Sequence, residues 1–200
     1  SLSWQSILNF PTGYAMSSRE LLRALDAEGV RAAYSYVYGP GSPFPPVEPE
    51  NSGDYLLNVL SSRQPDRRND LSVVYAQGDV FERGRGRRRV GYTMLEVDGF
   101  PREWVRQSNL MDEVWVPSRF TAAAVESEPG APPVRVVPYM VPEPDPSPLR
   151  RADFGLPGDA FVALCAFDAS SSVARKNPLA AVAAHRAAFG DRPDRVLVLK

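Results

Sequence analysis

The fold class follows most directly from the run Phe161-Val-Ala-Leu-Cys-Ala-Phe-Asp-Ala-Ser-Ser-Ser-Val-Ala-Arg-Lys-Asn-Pro178. Its first seven residues form a short, continuous apolar segment, which predicts a strand covered on both faces. The polar segment that follows predicts a loop. Asn177 and Pro178 then predict the start of an Ala-rich helix, because Asn caps helices and Pro suits the first helical position. The run therefore indicates a βα unit.

The junction between this loop and this helix has the chemistry of an anion site. The free N–H groups and the positive dipole end of a helix N-terminus favour negative charge. Arg175 and Lys176 add two cations at the same point, so a phosphate or diphosphate is the natural ligand. The alternative is a capped βα turn with two solvated cations, since N-caps and basic loops are common.

Outward from this run, strands and helices alternate along the chain, which predicts an α/β fold with a mostly parallel, Rossmann-like sheet. Capping-box spacing from Ser17 to Glu20 predicts a helix that ends at Gly29. The further strands are predicted at 3–10, 30–38, 71–76, 90–95, 113–116, 134–137 and 195–199, and the further helices at 54–60, from 101 and at 117–125.

Proline marks a boundary between two domains. Eight of the 20 prolines lie between Glu128 and Leu149, and alternating prolines stiffen a chain and cannot pair in a sheet. We predict a first domain over 1–140, a linker over 141–150 and a second unit over 151–200. Two strands and one helix cannot close a core, so we expect the second domain to be truncated, with the natural chain continuing past Lys200.

Composition limits the function classes. The net charge of −1 gives no sign of nucleic-acid binding, and the single Cys165 allows no internal disulfide. No run of about 18 apolar residues and no signal-peptide pattern occurs, which predicts a cytoplasmic protein. The Pro-rich segment 39–51 predicts a long irregular loop, a kind that is often functional.

Several single residues are candidates for chemistry. Gly13 allows close approach of a ligand to the backbone, although glycine most often marks a plain turn. Glu96 follows a predicted buried strand at the edge where α/β folds bind ligands, or it is a solvated loop acid. Lys200 ends the last predicted strand and either faces the Arg175–Lys176 loop or is an ordinary strand-terminal lysine.

The block Arg83-Gly-Arg-Gly-Arg-Arg-Arg89 can bind phosphate, nucleic acid or anionic lipid. Because no aromatic residues are interleaved, a solvated loop is favoured, with peripheral membrane contact as the remaining interpretation. His185 has no Cys or His at ligand spacing, so no metal site is expected.

Together these motifs resemble the family-four retaining glycosyltransferases of the GT-B fold. The more specific strings are Asp112-Glu-Val-Trp-Val-Pro-Ser118 and Arg175-Lys-Asn-Pro178. The resemblance also runs through Thr12-Gly-Tyr14, Gly91-Tyr-Thr-Met-Leu-Glu96, Pro133-Val-Arg-Val-Val-Pro-Tyr139, Phe154-Gly-Leu-Pro157 and Leu197-Val-Leu-Lys200.

The resemblance implies two Rossmann-like domains that face a cleft, the first for a sugar or glycolipid acceptor and the second for a nucleotide-sugar donor. It implies that Arg175, Lys176, Lys200 and Gly13 contact the donor diphosphate and that Tyr14 lies on the acceptor side. Glu96 takes a catalytic position where many relatives carry histidine. No metal or other cofactor is implied, since fixed cations and a helix N-terminus can stabilise the departing diphosphate.

One feature of that family is missing. Its members carry a Glu-x7-Glu pair in the donor domain, and the sequence ends at Lys200 without one. We therefore expect little transferase activity from these residues alone. The alternative is a non-catalytic acceptor-binding module that works with a partner chain. A nicotinamide-dependent oxidoreductase is disfavoured, because the first βα turn lacks the triple-glycine fingerprint.

Overall fold

A computed structural model of the chain describes residues 1–8, 10, 12–38, 55–63, 70–168 and 172–200. These residues form two compact units, Ser1–Glu143 and Pro144–Lys200. The division lies inside the predicted 141–150 linker. The predicted loop at 39–51 and the first residue of the predicted helix at 54–60 lie outside the described residues.

The first unit is built on a parallel sheet of six strands in the order β2-β1-β3-β4-β5-β6. The fold is α/β and Rossmann-like, as predicted. Its strands are β1 (Leu2–Ser6), β2 (Ala32–Tyr36), β3 (Leu71–Tyr75), β4 (Arg88–Tyr92), β5 (Glu113–Val116) and β6 (Val134–Val136). Its helices are α1 (Gly13–Ala27), α2 (Tyr55–Ser62), α3 (Arg102–Ser108) and α4 (Arg119–Glu126), with a 3-10 helix at Gly78–Arg83.

One face of this sheet packs an aromatic core against α1. Trp4 is buried and its Nε1 donates a hydrogen bond of 2.7 Å to Ser18 of α1. Tyr75 stacks on Tyr92 with 4.3 Å between ring centroids, and Leu22 of α1 is fully buried in the same cluster. Alternate strand residues thus give α1 a continuous apolar surface, as the period of two in a strand requires.

The other face is covered by the 3-10 helix, α3 and α4. Phe81 of the 3-10 helix, Val114 and Val116 of β5 and Val125 of α4 are buried together. Because both faces are covered in this way, neighbouring residues of β3 and β5 are buried on both sides of the sheet.

The second unit contains β7 (Phe161–Cys165) and β8 (Arg195–Leu199), which pair in parallel. Between them lie α5 (Val173–Lys176) and α6 (Pro178–Phe189), and a 3-10 helix precedes β7 at Arg151–Phe154. The prediction that β7 is covered on both faces is wrong for the described residues. Phe161 is 51% exposed and Leu164 is 64% exposed, and these two side chains lie on opposite faces of the strand.

The predicted helices differ from the structure at α1, α4 and α5. Helix α4 begins at Arg119 rather than at 117, since the Ser118 side chain caps it. Helix α1 begins at Gly13 rather than at the Ser17–Glu20 box, since the Thr12 hydroxyl accepts a hydrogen bond from the Ala15 amide at 3.2 Å. Arg175 lies in α5 rather than in a loop, since Ser172 caps that single helical turn.

Strand bounds differ as well. Strand β1 ends at Ser6, four residues before the predicted end at Phe10, and β4 begins at Arg88 and ends at Tyr92. The segment from Thr93 to Glu96 is therefore a loop at the end of β4. This shift places Glu96 farther from the sheet than the strand prediction implied.

Candidate functional site

The carboxyl ends of the six parallel strands form one edge of the first unit, where α/β folds bind ligands. The N-terminus of α1 follows β1 at this edge, and the loops after β4 and β6 leave the sheet there. Gly13, Tyr14 and Glu96 all lie on these connections. Three predicted site residues thus share one edge of one unit.

Tyr14 ties the first turn of α1 to the loop after β4. Its hydroxyl lies 3.1 Å from Thr93 Oγ1 and donates to the carbonyl of Met94 at 3.3 Å. Burial raises the pKa of Tyr14 well above its ordinary value. The hydroxyl is therefore a neutral group whose hydrogen bonds lie inside the first unit.

Tyr139, which follows β6, extends this cluster. Its hydroxyl donates to the Met94 sulfur at 3.0 Å. Burial, with a smaller contribution from the negative charge of Glu96, raises the pKa of Tyr139 to about 12. Glu96 itself is exposed. The edge thus combines a solvent-facing carboxylate with a half-buried phenol.

Gly13 is exposed at the first position of α1, and its φ is not in the left-handed region. A Cβ built at this position would meet no atom within 4 Å. The fold of the described residues therefore does not require glycine here. Open space next to free amides at a helix start is where an anion could approach the backbone.

In the second unit, Lys200 lies beside the end of β7. Its amide donates to the Cys165 carbonyl at 3.0 Å, and its carbonyl accepts from the Phe167 amide at 2.8 Å. Lys200 is thus fixed at the carboxyl edge of the β7–β8 pair, where the chain leaves β7 toward α5.

Asn177 joins α5 to α6 in the way that the sequence predicts. Its Oδ1 accepts from the Ala180 amide at 3.3 Å, and Pro178 begins α6. Asn177 has φ 47° and ψ 49°, a left-handed conformation that Asn tolerates better than most residues. Arg175 and Lys176 are exposed and immediately precede this cap.

Arginines of the basic block 83–89 make hydrogen bonds within the first unit. Arg83 donates to the Val37 carbonyl at 2.8 Å, and Arg85 donates to the Glu82 carbonyl at 2.7 Å. Because β4 begins at Arg88, the favoured prediction of a solvated loop is wrong for the end of the block. Peripheral membrane contact stays a prediction.

Arg88 belongs to a charge cluster on neighbouring strands. Arg88 and Arg135 each lie 2.6 Å from the buried carboxylate of Glu113, and Trp115 Nε1 donates to it at 2.9 Å. Burial acts to raise the pKa of Glu113, but these three hydrogen bonds outweigh burial and hold the pKa below its ordinary value. The cluster joins β4, β5 and β6.

Two further candidate residues, His185 and Cys165, lie in the second unit. His185 lies in α6 with its ring 5.0 Å from that of Phe189, and Cys165 is a half-buried free thiol in β7. The described residues contain no group of three or more His, Cys, Asp or Glu side chains that could hold a metal ion. Nor do they contain a helix long and apolar enough to cross a membrane.

The structure thus groups Gly13, Tyr14 and Glu96 on one unit and groups Lys200 with the strand end before α5 on the other. Sequence reasoning did not single out Thr93 and Met94. Both lie inside the Gly91–Glu96 motif. Their position between β4 and Glu96 was the signal that could have marked them as site residues. Compared with known proteins, the chain matches no protein-family model and no curated protein.

Proposed function

We propose that the protein takes part in the transfer of a sugar from a nucleoside-diphosphate sugar to an acceptor, with retention of configuration, as its resemblance to family-four glycosyltransferases implies. The proposal rests mainly on the second unit. There Lys176 directly precedes the capped start of α6, and Lys200 is hydrogen-bonded beside the end of the strand that leads to it.

This arrangement suits a diphosphate leaving group. As the sugar–phosphate bond breaks, negative charge grows on the diphosphate and positive charge on the sugar ring. Groups that bind the developing charge more strongly than the ground state accelerate the reaction. The ammonium of Lys176 and the positive dipole end of α6 are such groups.

The first unit supplies the acceptor side of the proposal. Glu96 is the carboxylate that would stabilise the positive charge developing on the sugar. The ring of Tyr14, fixed by hydrogen bonds to Thr93 and Met94, offers a flat surface for a sugar. Gly13 would let a donor phosphate approach the first turn of α1.

The test is calorimetric titration of the full-length protein with UDP, GDP and ADP. We expect Lys176→Ala to weaken binding of the preferred nucleotide about tenfold, the loss of one charge-assisted contact. Arg186→Ala is the matched control, since it removes an exposed cation from the other end of α6. Unchanged nucleotide affinity in Lys176→Ala would contradict the proposal that Lys176 contacts the donor diphosphate.

One observation favours a second candidate, a non-catalytic acceptor-binding module. Phe161 and Leu199 lie on the same face of the small β7–β8 sheet and are both about half exposed, and exposed apolar surface can mark a protein–protein contact. This candidate predicts acceptor binding without turnover and a stable complex with a second protein. Turnover of a nucleotide sugar by the purified protein alone would exclude it.

A further inference from the structure

The first unit contains a pocket at the amino edge of its sheet, the edge opposite to the candidate site. The pocket has a volume of about 830 Å³, which lies in the range of roughly 300–1,000 Å³ that small-molecule sites occupy. Leu2, Ala32 and Leu71, at the starts of β1, β2 and β3, line it. The pocket is therefore separate from Gly13, Tyr14 and Glu96.

Two tryptophans give the pocket an aromatic lining. Trp4 is buried beneath it, and the half-buried Trp115 forms part of its wall. The indole of Trp115 is held in place, because its Nε1 donates to Glu113 at 2.9 Å and its ring meets Tyr92 nearly edge-on at 6.1 Å. A fixed, partly exposed indole is a preformed surface for another flat ring.

Charged residues on the rim of the pocket indicate which charge a bound molecule would carry. Arg63 lies 3.4 Å from Asp26 and also donates to the Ala32 carbonyl, and Asp70 pairs with the amino group of Ser1. Arg31 also lines the pocket and is exposed. Among the described residues, its guanidinium has no ion-pair partner.

We propose that this pocket binds a small aromatic acid, with its carboxylate facing Arg31 and its ring among the apolar and aromatic residues that line the pocket. A guanidinium matches a carboxylate in geometry as well as charge. The apolar lining excludes a strongly hydrophilic anion such as free phosphate as the preferred ligand, because burying apolar surface is the main gain that the pocket offers.

The chain has three tryptophans, and their indole N–H signals in a nitrogen–proton NMR spectrum report on the site. Titration of the 200-residue chain with naphthoate should shift the signals of Trp4 and Trp115 with one saturable affinity. Trp104 lies in α3, in the cluster on the other face, and its signal should stay in place. The neutral analogue naphthamide should bind about tenfold more weakly, as should naphthoate to Arg31→Gln.

Arg119→Gln is the matched control, since Arg119 is an exposed arginine at the start of α4 and its loss should leave naphthoate affinity unchanged. Val30→Glu is a second test that carries little risk of misfolding, because Val30 lines the pocket and is already 37% exposed. This variant should repel naphthoate. Equal shifts at all three tryptophans, no shift at any of them, or unchanged naphthoate affinity in Arg31→Gln would each overturn the proposal.

Discussion

Gly91 in the middle of β4 is a position where adding one methyl group should destabilise the first unit. A Cβ built on Gly91 would lie 2.4 Å from Cε2 of Phe81 and 2.6 Å from both Cδ2 and Cζ. Carbon atoms in contact normally sit about 3.5–4.0 Å apart. Gly91→Ala therefore forces an overlap of about 1 Å against an aromatic ring.

Neither partner can move away easily. Phe81 is fully buried, and Gly91 is paired with strands on both sides, opposite Val74 and Val114. Overpacking costs about 1–3 kcal/mol, and an overlap of about 1 Å against a fixed ring falls at the upper end of that range. Alanine in a strand gains about 0.5–1 kcal/mol over glycine, which offsets part of this cost. We expect a net loss of about 2 kcal/mol, which for a unit of this size lowers Tm by about 4–8 °C.

Thermal unfolding monitored by far-ultraviolet circular dichroism measures this shift. Gly99→Ala is the matched control, because a Cβ at Gly99 meets no atom within 4 Å, and its Tm should stay within about 2 °C of the parent. In a Phe81→Leu background the cost of Gly91→Ala should shrink, since the obstructing ring is gone. Equal Tm values for Gly91→Ala and Gly99→Ala would refute the argument.

Three further substitutions test other parts of the structure. Glu113→Gln should lower the free energy of unfolding in urea by about 2 kcal/mol at neutral pH. Because folding lowers the pKa of Glu113, this difference should shrink as the pH falls below 4.5. A difference that does not change with pH would contradict the charge cluster. Asn177→Ala should cost about 1–2 kcal/mol through the lost cap and the left-handed backbone. Asn177→Gly should cost less, since glycine adopts that backbone freely, but both variants should speed hydrogen exchange at Ala180; exchange there at the parent rate in both would argue against this cap. Gly13→Ala should raise stability by about 0.4–1 kcal/mol yet weaken nucleotide-sugar binding if a phosphate approaches this turn, so unchanged affinity in calorimetry would remove Gly13 from the site.

The buried strands β3 and β5 could be predicted from sequence because they are short and mainly apolar. The segments 71–76 and 113–116 are buried on both sides, and their predicted bounds differ from β3 and β5 by no more than one residue. The end of β1 was less predictable. Ile7 and Leu8 continue the apolar pattern beyond Ser6. Leu8 packs into the core next to α1 and Ile7 into the core on the other face, although neither belongs to the strand.

The tyrosine cluster at the carboxyl edge could not be predicted in the same way. Tyr14, Thr93 and Tyr139 are far apart in the chain, and each alone is an ordinary residue at the end of a strand or the start of a helix. Their contacts depend on the order of strands in the sheet, which brings the loop after β4 next to α1. Sequence order alone does not specify that neighbour relation.

The errors at α1, α4 and α5 have one physical cause. In each case a hydroxyl residue is the N-cap, and its side chain accepts from the amide three residues later: Thr12 from Ala15, Ser118 from Thr121, and Ser172 from Arg175. Ser and Thr are strong N-caps whether or not Glu follows at the capping-box position. The rule that succeeded at Asn177 therefore applies at all four places, and it gives Gly13 and Lys176 a shared context. Each lies within one turn of a helix start whose cap is a short polar side chain.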